Sequence, residues 1–214
     1  VIRFGKGNNA TARVKKLLDK DEDSNFIPTG FNEYDDKNGG AGFGNLFTIG
    51  GSSGAGKSTL AAQLGINWSK MGEHVCMVPL EMTADEMVAR TMANAAQLDV
   101  RKILHRKLSE DEERLYLKSY KKFVRARKKT EGTLSFFKPK SDMTIEEILA
   151  CTYTMGPSII IIDYISLLKG VDGDDAWQKL GAVARYCKVY AETHNVLIVM
   201  LCQVSEEGKI RYAQ

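Results

Sequence analysis

Short apolar runs recur along the chain between longer segments in which apolar residues repeat with helical spacing. One run, Ser158–Ile162, is continuously aliphatic, which is typical of a strand that is covered on both faces. Strands are predicted at Gly44–Gly50, Val75–Leu80, Thr133–Phe137, Ser158–Ile162 and Val196–Leu201. Because strands alternate with helices, the pattern predicts an α/β fold with a mostly parallel twisted sheet and helices on both faces.

Helices are predicted from the same periodicity and from residues that can cap a helix. They begin at about Lys57, at Thr83, at Ser109, at Asp142 or Thr144, and at Asp175. After the first, they end at Ala96, Lys129, about Thr152 and Thr193. Thr83 suits an N-cap because its hydroxyl can accept a hydrogen bond from a first-turn N–H.

The N-terminal residues 1–25 are polar and form a separate segment ahead of the domain at 26–214. Within it, Ala10–Lys20 could form a short helix, since Val14, Leu17 and Leu18 lie at helical spacing. Two interpretations stay open. The segment is either a frayed leader or a linker whose helix docks on a neighbouring subunit.

Composition places the chain among ordinary soluble domains. It has 214 residues, of which 43% are hydrophobic and 27% charged, with a net charge of +3. That charge neither requires nor excludes a nucleic-acid partner. The four cysteines include no C-x-x-C pair, and three lie among apolar residues, which favours reduced thiols. The longest apolar run, Ile159–Leu168, is interrupted by Asp163 and is too short to span a bilayer, so a cytoplasmic protein without a membrane partner is expected.

A glycine-rich motif follows the first predicted strand and precedes a helix. It matches G-x-x-x-x-G-K-[ST] in full and comprises Gly51, Ser52, Ser53, Gly54, Ala55, Gly56, Lys57 and Ser58, with Thr59 next in the helix. Glycines let the backbone N–H groups wrap an anion, and the helix N-terminus adds its dipole. Lys57 is predicted to bind the outer phosphates of ATP or another nucleoside triphosphate, and Ser58 to bind Mg²⁺.

Polar side chains follow three other predicted strands. Asp163 ends the isoleucine run, Glu81 follows Val75–Leu80, and Gln203 follows Val196–Leu201. In parallel sheets, sites form beyond the carboxyl ends of the strands, so these residues and the glycine-rich loop should face one crevice. Asp163 then suits a metal-binding carboxylate, Glu81 a general base for the attacking water, and Gln203 a phosphate sensor.

The order of several further segments resembles the RecA-like motor domain of the DnaB family of replicative helicases, with a bacteriophage member as the expected source. The segments are Ile27-Pro28-Thr29-Gly30-Phe31, Leu80-Glu81-Met82, Arg106-Lys107-Leu108, Met143-Thr144-Ile145-Glu146-Glu147-Ile148, Ile162-Asp163-Tyr164-Ile165 and Leu201-Cys202-Gln203. The resemblance covers residues 26–204. It implies a RecA-like P-loop core and assigns the same roles to Lys57, Ser58, Glu81, Asp163 and Gln203.

The resemblance also implies a mechanism for the whole protein. It implies a homo-hexameric ring that moves 5′ to 3′ along single-stranded DNA at the replication fork, driven by nucleotide hydrolysis between subunits. A primase and a helicase loader are possible partners. Family members carry a further segment after the glutamine strand, with a DNA-binding loop and a basic residue that reaches the next subunit. Because the chain ends at Gln214, a C-terminally truncated domain is expected.

Two basic segments are candidates for DNA contact. Lys209 and Arg211 fall where the family places a pore loop, and a plain surface loop is an equal alternative. The denser run from Lys118 to Lys129 is more often the solvated face of a helix.

Three functions remain open at this stage. The helicase motor is favoured by the L-E-M and T-I-E-E segments. The alternatives are a RecA- or KaiC-like ATPase of recombination or signalling, and a nucleotide-gated assembly module with negligible turnover.

Overall fold

A computed structural model of the chain describes residues 25–163 and 176–204, with side chains throughout except at 176 and 177. The predicted helix at Ala10–Lys20 and the predicted first residue of the last helix, Asp175, lie outside these ranges. The described elements, in chain order, are β1 (Phe26–Ile27), α1 (Asn32–Asn38), β2 (Ala41–Gly42), β3 (Leu46–Gly51), α2 (Lys57–Met71), β4 (His74–Pro79), α3 (Ala84–Ala96), α4 (Val100–Leu104), α5 (Glu110–Thr130), β5 (Thr133–Phe136), α6 (Ile145–Tyr153), β6 (Ile159–Asp163), α7 (Ala176–His194) and β7 (Leu197–Gln203).

The central sheet confirms the predicted architecture. Its five strands are all parallel, in the order β3-β7-β6-β4-β5. Each predicted strand is present with its ends within two residues of the predicted bounds. Because every connection between these strands includes at least one helix, the strands share one direction and their carboxyl ends meet at one edge.

Apolar side chains on the two faces of the sheet form two core layers. Trp68 and Met87, from α2 and α3, pack with Ile159 and Ile161 on one face. On the other face α6 and α7 pack against the alternate isoleucines of β6. All four isoleucines of β6 are completely buried, which explains why this strand is continuously aliphatic. This core fixes Asp163 at the carboxyl end of β6.

The segment before β3 contains elements that its sequence pattern did not predict. Strands β1 and β2 are two residues each and pair antiparallel, and α1 has no buried residue. Asp35 organises this segment, because its carboxylate accepts hydrogen bonds from the Thr29 N–H at 2.8 Å and hydroxyl at 2.7 Å, and from the Gly30 N–H at 2.9 Å. The segment is tied to α2 through Trp68, whose indole N–H donates to the Pro28 carbonyl at 2.9 Å.

Gly30 cannot easily be another residue. Its φ of +83° lies in the left-handed region, and a Cβ there would come within 2.5 Å of the Asn67 amide nitrogen on α2. The Pro28-Thr29-Gly30 sequence is therefore a docking turn that fixes the segment before β3 on α2.

Capping residues determine where three helices begin. Thr83, Ser109 and Thr144 each form a capping box with a glutamate three residues later, at the starts of α3, α5 and α6. Of the two alternatives for α6, Thr144 is therefore the cap. Such a cap contributes about 1 kcal/mol to helix stability.

The cysteines fall into two groups. Cys76, Cys187 and Cys202 are buried, whereas Cys151 on α6 is exposed. Burial raises the thiol pKa to about 11 for Cys76, about 12 for Cys187 and about 11 for Cys202. In the part of the chain that the structure describes, no helix combines the length and apolarity needed to cross a membrane.

Candidate functional site

The glycine-rich loop joins β3 to α2 at the carboxyl edge of the sheet. Gly54 and Gly56 have φ values of +76° and +87°, and these left-handed conformations turn the chain sharply into the helix. Gly56 is the N-cap of α2 and offers no side chain to its first-turn N–H groups. An anion at this helix end would meet free backbone donors and the positive end of the helix dipole.

Lys57 lies across this loop. Its ammonium group donates to the carbonyl oxygens of Gly51 at 2.9 Å and Ser52 at 2.8 Å. These bonds hold the positive charge at the rim of a cavity of about 470 Å³. The cavity is lined by Ser53, Gly54, Gly56, Lys57, Ser58, Thr59, Glu81, Met82, Glu86, Arg90, Asp163 and Gln203.

Strand register explains why the polar residues meet there. Gly51, the first residue of the motif, is directly opposite Gln203 in the pairing of β3 with β7. Asp163 is opposite Pro79 in the pairing of β6 with β4, so Glu81 lies two residues beyond that pair. These strand ends therefore meet at one crevice, as predicted from the sequence. Gly51, Ser52 and Ala55 belong to the loop but do not line the cavity.

Asp163 is the most constrained acid of the site, with only 2% of its surface exposed. Burial raises the pKa of its carboxyl above the ordinary 3.8, and the negative charge of Glu81 raises it further. A hydrogen bond with Ser58 and the positive charges of Lys57 and Arg90 act in the opposite direction. Among the residues that the structure describes, its buried Oδ2 has no hydrogen-bond partner.

An unpartnered buried carboxylate oxygen is costly unless a cation completes its interactions. Here Asp163 lines the same cavity as Ser58 and the glycine-rich loop. Mg²⁺ prefers oxygen ligands and is usually bound by one or two protein oxygens, water and substrate phosphates. Among the described residues, no three His, Cys, Asp or Glu side chains form a metal cage. The donors present thus fit Mg²⁺ held together with a nucleotide.

Glu81 extends from a turn that is fixed on both sides. Lys138 donates to the carbonyls of Pro79 at 3.1 Å and Leu80 at 2.7 Å, and the Leu80 N–H donates to the Asp163 carbonyl. On the other side, the Thr83 capping box anchors the start of α3. The Glu81 side chain is exposed to the cavity while its backbone is held, as a general base requires.

Two charged residues of the cavity were missed by the sequence reasoning. Glu86 and Arg90 lie one turn apart on α3, and both line the cavity. Hydrogen bonds from the Thr83 N–H and hydroxyl lower the pKa of Glu86, with a smaller contribution from Arg90. The available signal was their i, i+4 spacing on the helix that follows Glu81, whose start must lie beside the same sheet edge.

The predicted DNA-contact residues Lys209 and Arg211 lie outside the described residues. The position of Thr59, by contrast, is described: it lines the cavity, and its carbonyl accepts a hydrogen bond from the Asn94 amide at 3.1 Å, which joins α2 to α3.

Comparison with known proteins gives a consistent result. The family model described as "DnaB-like helicase C terminal domain" matches residues 26–213. The chain is 26% identical over 206 residues to a probable plasmid replicative DNA helicase of Chlamydia trachomatis serovar L2, covering 94% of this chain and 45% of that protein. The chain thus spans about half the length of such curated relatives.

Two solved structures share the fold. The ATPase domain of G40P superposes with a TM-score of 0.77 at 21% identity, over 95% of this chain and 73% of that one. A structure described as a DnaB-like replicative helicase and its interactions with primase also gives 0.77, at 22% identity, over 94% of this chain and 50% of that one.

Proposed function

The chain belongs to the DnaB-like helicase C-terminal domain family, and from this premise we propose that it is the ATP-driven motor of a replicative DNA helicase. Hydrolysis of ATP or another nucleoside triphosphate drives 5′ to 3′ movement along single-stranded DNA and separates the strands at a fork. The protein acts in the cytoplasm of a bacterium or of a phage-infected host cell.

One observation carries this proposal: a single cavity is lined by Lys57, Ser58, Glu81, Asp163 and Gln203. Around this cavity lie backbone N–H groups that can bind phosphate, the ammonium group of Lys57, the buried carboxyl of Asp163 and the exposed carboxyl of Glu81. Hydrolysis of a metal-bound triphosphate needs these groups together.

We assign the binding roles to the loop and the two residues that follow it. The N–H groups of the loop and of the first turn of α2 bind the phosphates, and Lys57 exchanges its contacts with the Gly51 and Ser52 carbonyls for phosphate oxygens. Ser58 and Asp163 would hold Mg²⁺, which would neutralise charge on the phosphates. This role fits the buried Oδ2 of Asp163, which has no hydrogen-bond partner among the described residues.

Glu81 accepts a proton from the attacking water. Its turn is held by Lys138 and by the Thr83 cap, so the carboxylate keeps its position as charge develops. Gln203, directly opposite Gly51, donates from its amide to the outer phosphate or orients the water. Arg90 adds a further positive charge to the same cavity.

The remaining features follow from family membership. A homo-hexameric ring with nucleotides between subunits would supply DNA contacts from each copy, and Lys209 and Arg211 are proposed to contact the DNA backbone. A primase is a proposed partner because one similar structure is described as a helicase with its interactions with primase. A helicase loader is a further proposed partner.

Fork unwinding tests the proposal. Forks with either a 5′ or a 3′ single-stranded tail are compared at matched ATP and Mg²⁺, and DNA-stimulated hydrolysis is measured in parallel. Unwinding of the 5′-tailed fork alone, lost in Lys57→Ala, is the expected result. Strand exchange on filaments would instead favour a recombination ATPase. Nucleotide-dependent assembly with negligible turnover would favour a gated module.

A further inference from the structure

One face of α5 carries an unusual concentration of positive charge. This basic face comprises Arg114, Lys118, Lys121, Lys122, Arg125 and Lys129, all exposed. The opposite face packs on α2 and α3, where Phe123 is buried with Ile66 and Met92. The basic residues are therefore held on the outer surface of a firmly packed helix.

Their spacing builds two ladders of like charge. Arg114, Lys118 and Lys122 are each four residues apart, as are Lys121, Arg125 and Lys129. Side chains at i and i+4 are neighbours on a helix, and like charges in that relation destabilise it. The repulsion between neighbouring cations in both ladders therefore destabilises α5 in the isolated domain.

Among the described residues, an acidic partner relieves this repulsion only at Arg114. Arg114 forms an exposed ion pair with Asp111 at 2.7 Å, and the other five cations of the basic face have no ion pair with any described carboxylate. Lys70, at the end of α2, adds to the cluster: burial and the positive charge of Lys122 lower its pKa.

A simple solvated helix face does not explain this arrangement. The four acids of the helix, Glu110, Asp111, Glu112 and Glu113, occupy its first turn, and Arg127, Lys128 and Lys129 its last, as the helix dipole favours. The dipole acts only within the terminal turns, however, whereas the two ladders also run through the middle of the helix. Solubility alone is served by interspersed charges of both signs.

We propose that the basic face of α5 binds the phosphate backbone of single-stranded DNA. Lys129 lies fifteen positions after Arg114, so the charged row is about 22 Å long at 1.5 Å per residue, enough for several consecutive phosphates. Lysine and arginine neutralise phosphates without reading bases, and a polyanion removes the repulsion within the ladders.

None of the six residues of the basic face lines the nucleotide cavity. The basic end of α5 leads into β5, whose first residue, Thr133, pairs with His74 at the amino end of β4. The cavity lies at the carboxyl end of the same strands. Identifying the polyanion as single-stranded DNA rests on the proposed function, whereas the charge arrangement does not.

The test compares oligonucleotide binding by two variants of equal charge. In one, Lys118, Lys122 and Arg125 become Gln; in the other, the exposed residues Lys37, Lys107 and Lys140 become Gln. Binding of a fluorescent oligo-dT is followed by anisotropy between 50 and 200 mM salt. Loss of three phosphate contacts should make the slope of log K against log salt shallower by about 2. Raising the salt from 50 to 200 mM should therefore weaken DNA binding by the wild type roughly 20-fold more than DNA binding by the α5 variant.

The control variant should keep the wild-type slope, as should Lys118→Arg with Lys122→Arg, which preserves the charges. Equal slopes for the α5 variant and the wild type would overturn the proposal. So would unchanged DNA affinity combined with a smaller oligomer in light scattering, which would identify a protein interface. Tighter binding of a duplex than of oligo-dT through these residues would also contradict it. Hydrolysis without DNA is measured throughout: its absence in the wild type counts against the proposed function and leaves the binding result intact.

Discussion

Replacing Asp163 with Asn distinguishes two effects of this acid: the free energy of folding that its burial costs, and its role in nucleotide hydrolysis. The Asp163 carboxylate is 2% exposed, and its Oδ2 has no hydrogen-bond partner among the described residues. The substitution keeps the shape and the oxygen that can interact with Ser58, but removes the charge that burial disfavours. We therefore expect the variant to be more stable than the wild type and inactive in hydrolysis.

The magnitude follows from the environment. An unsatisfied buried polar group costs about 1–3 kcal/mol. Because the asparagine amide is itself buried, we expect a gain near the lower end, about 1 kcal/mol, which raises Tm by roughly 2–4 °C in a domain of this size. Nucleotide with Mg²⁺ at a hundred times its Kd stabilises the wild type by about 2.7 kcal/mol. The variant should lose the part of this effect that depends on Mg²⁺.

Thermal unfolding measures both quantities in one experiment. The wild type, Asp163→Asn and the control Asp142→Asn, which removes an exposed acid, are melted with a non-hydrolysable triphosphate, with and without Mg²⁺. Turnover is assayed separately. If Asp163→Asn and the wild type have the same Tm alone and the same increase with Mg²⁺, Asp163 is neither strained by burial nor a metal ligand.

Three further changes test other parts of the structure. Lys57→Ala should weaken triphosphate binding about 10- to 100-fold by losing a charge-assisted hydrogen bond, measured by calorimetry against Lys37→Ala; equal affinities would remove Lys57 from the phosphate site. Glu81→Gln should keep triphosphate binding while turnover falls about 10²- to 10⁴-fold, with Glu33→Gln as the unaffected control; normal turnover would place the base elsewhere. Asp35→Ala should cost about 1–2 kcal/mol in urea unfolding, because Thr29 and Gly30 lose their acceptor. Burial raises the folded pKa of Asp35, but the hydrogen bonds from Thr29 and Gly30 together outweigh it and lower the pKa, so the stabilisation is present above pH 3.8 and is lost as pH falls through the lower folded value; a difference from Ala that does not shrink as the pH is lowered below 3.8 would contradict this.

The strands and their ends could be predicted because they depend on local pattern. The isoleucines of β6 are buried on both faces, which excludes a polar residue from this stretch. The position of the acid that follows them, Asp163, could therefore be predicted from the sequence. The helix starts at Thr83 and Ser109 could also be predicted, because a capping residue forms its hydrogen bonds with the first turn of its own helix.

Elements held by distant contacts could not be predicted. Helix α1 has no buried residue and no apolar periodicity, and it is positioned through Asp35 and the docking turn at Gly30. Arg90 was missed because its place in the cavity depends on how α3 packs beside the loop, which its own sequence does not specify. The basic run of α5 was visible, but the absence of acidic partners among the described residues emerged only from the packed structure.

The distribution of thiols gives the protein a practical property. Three cysteines are enclosed in the core with pKa values of about 11 to 12, so at neutral pH they are protonated and out of reach of alkylating reagents. Cys151 alone among the four is accessible, on α6. Maleimide dyes should therefore attach to the native chain at one defined position, which would provide a fluorescent reporter without any engineered cysteine.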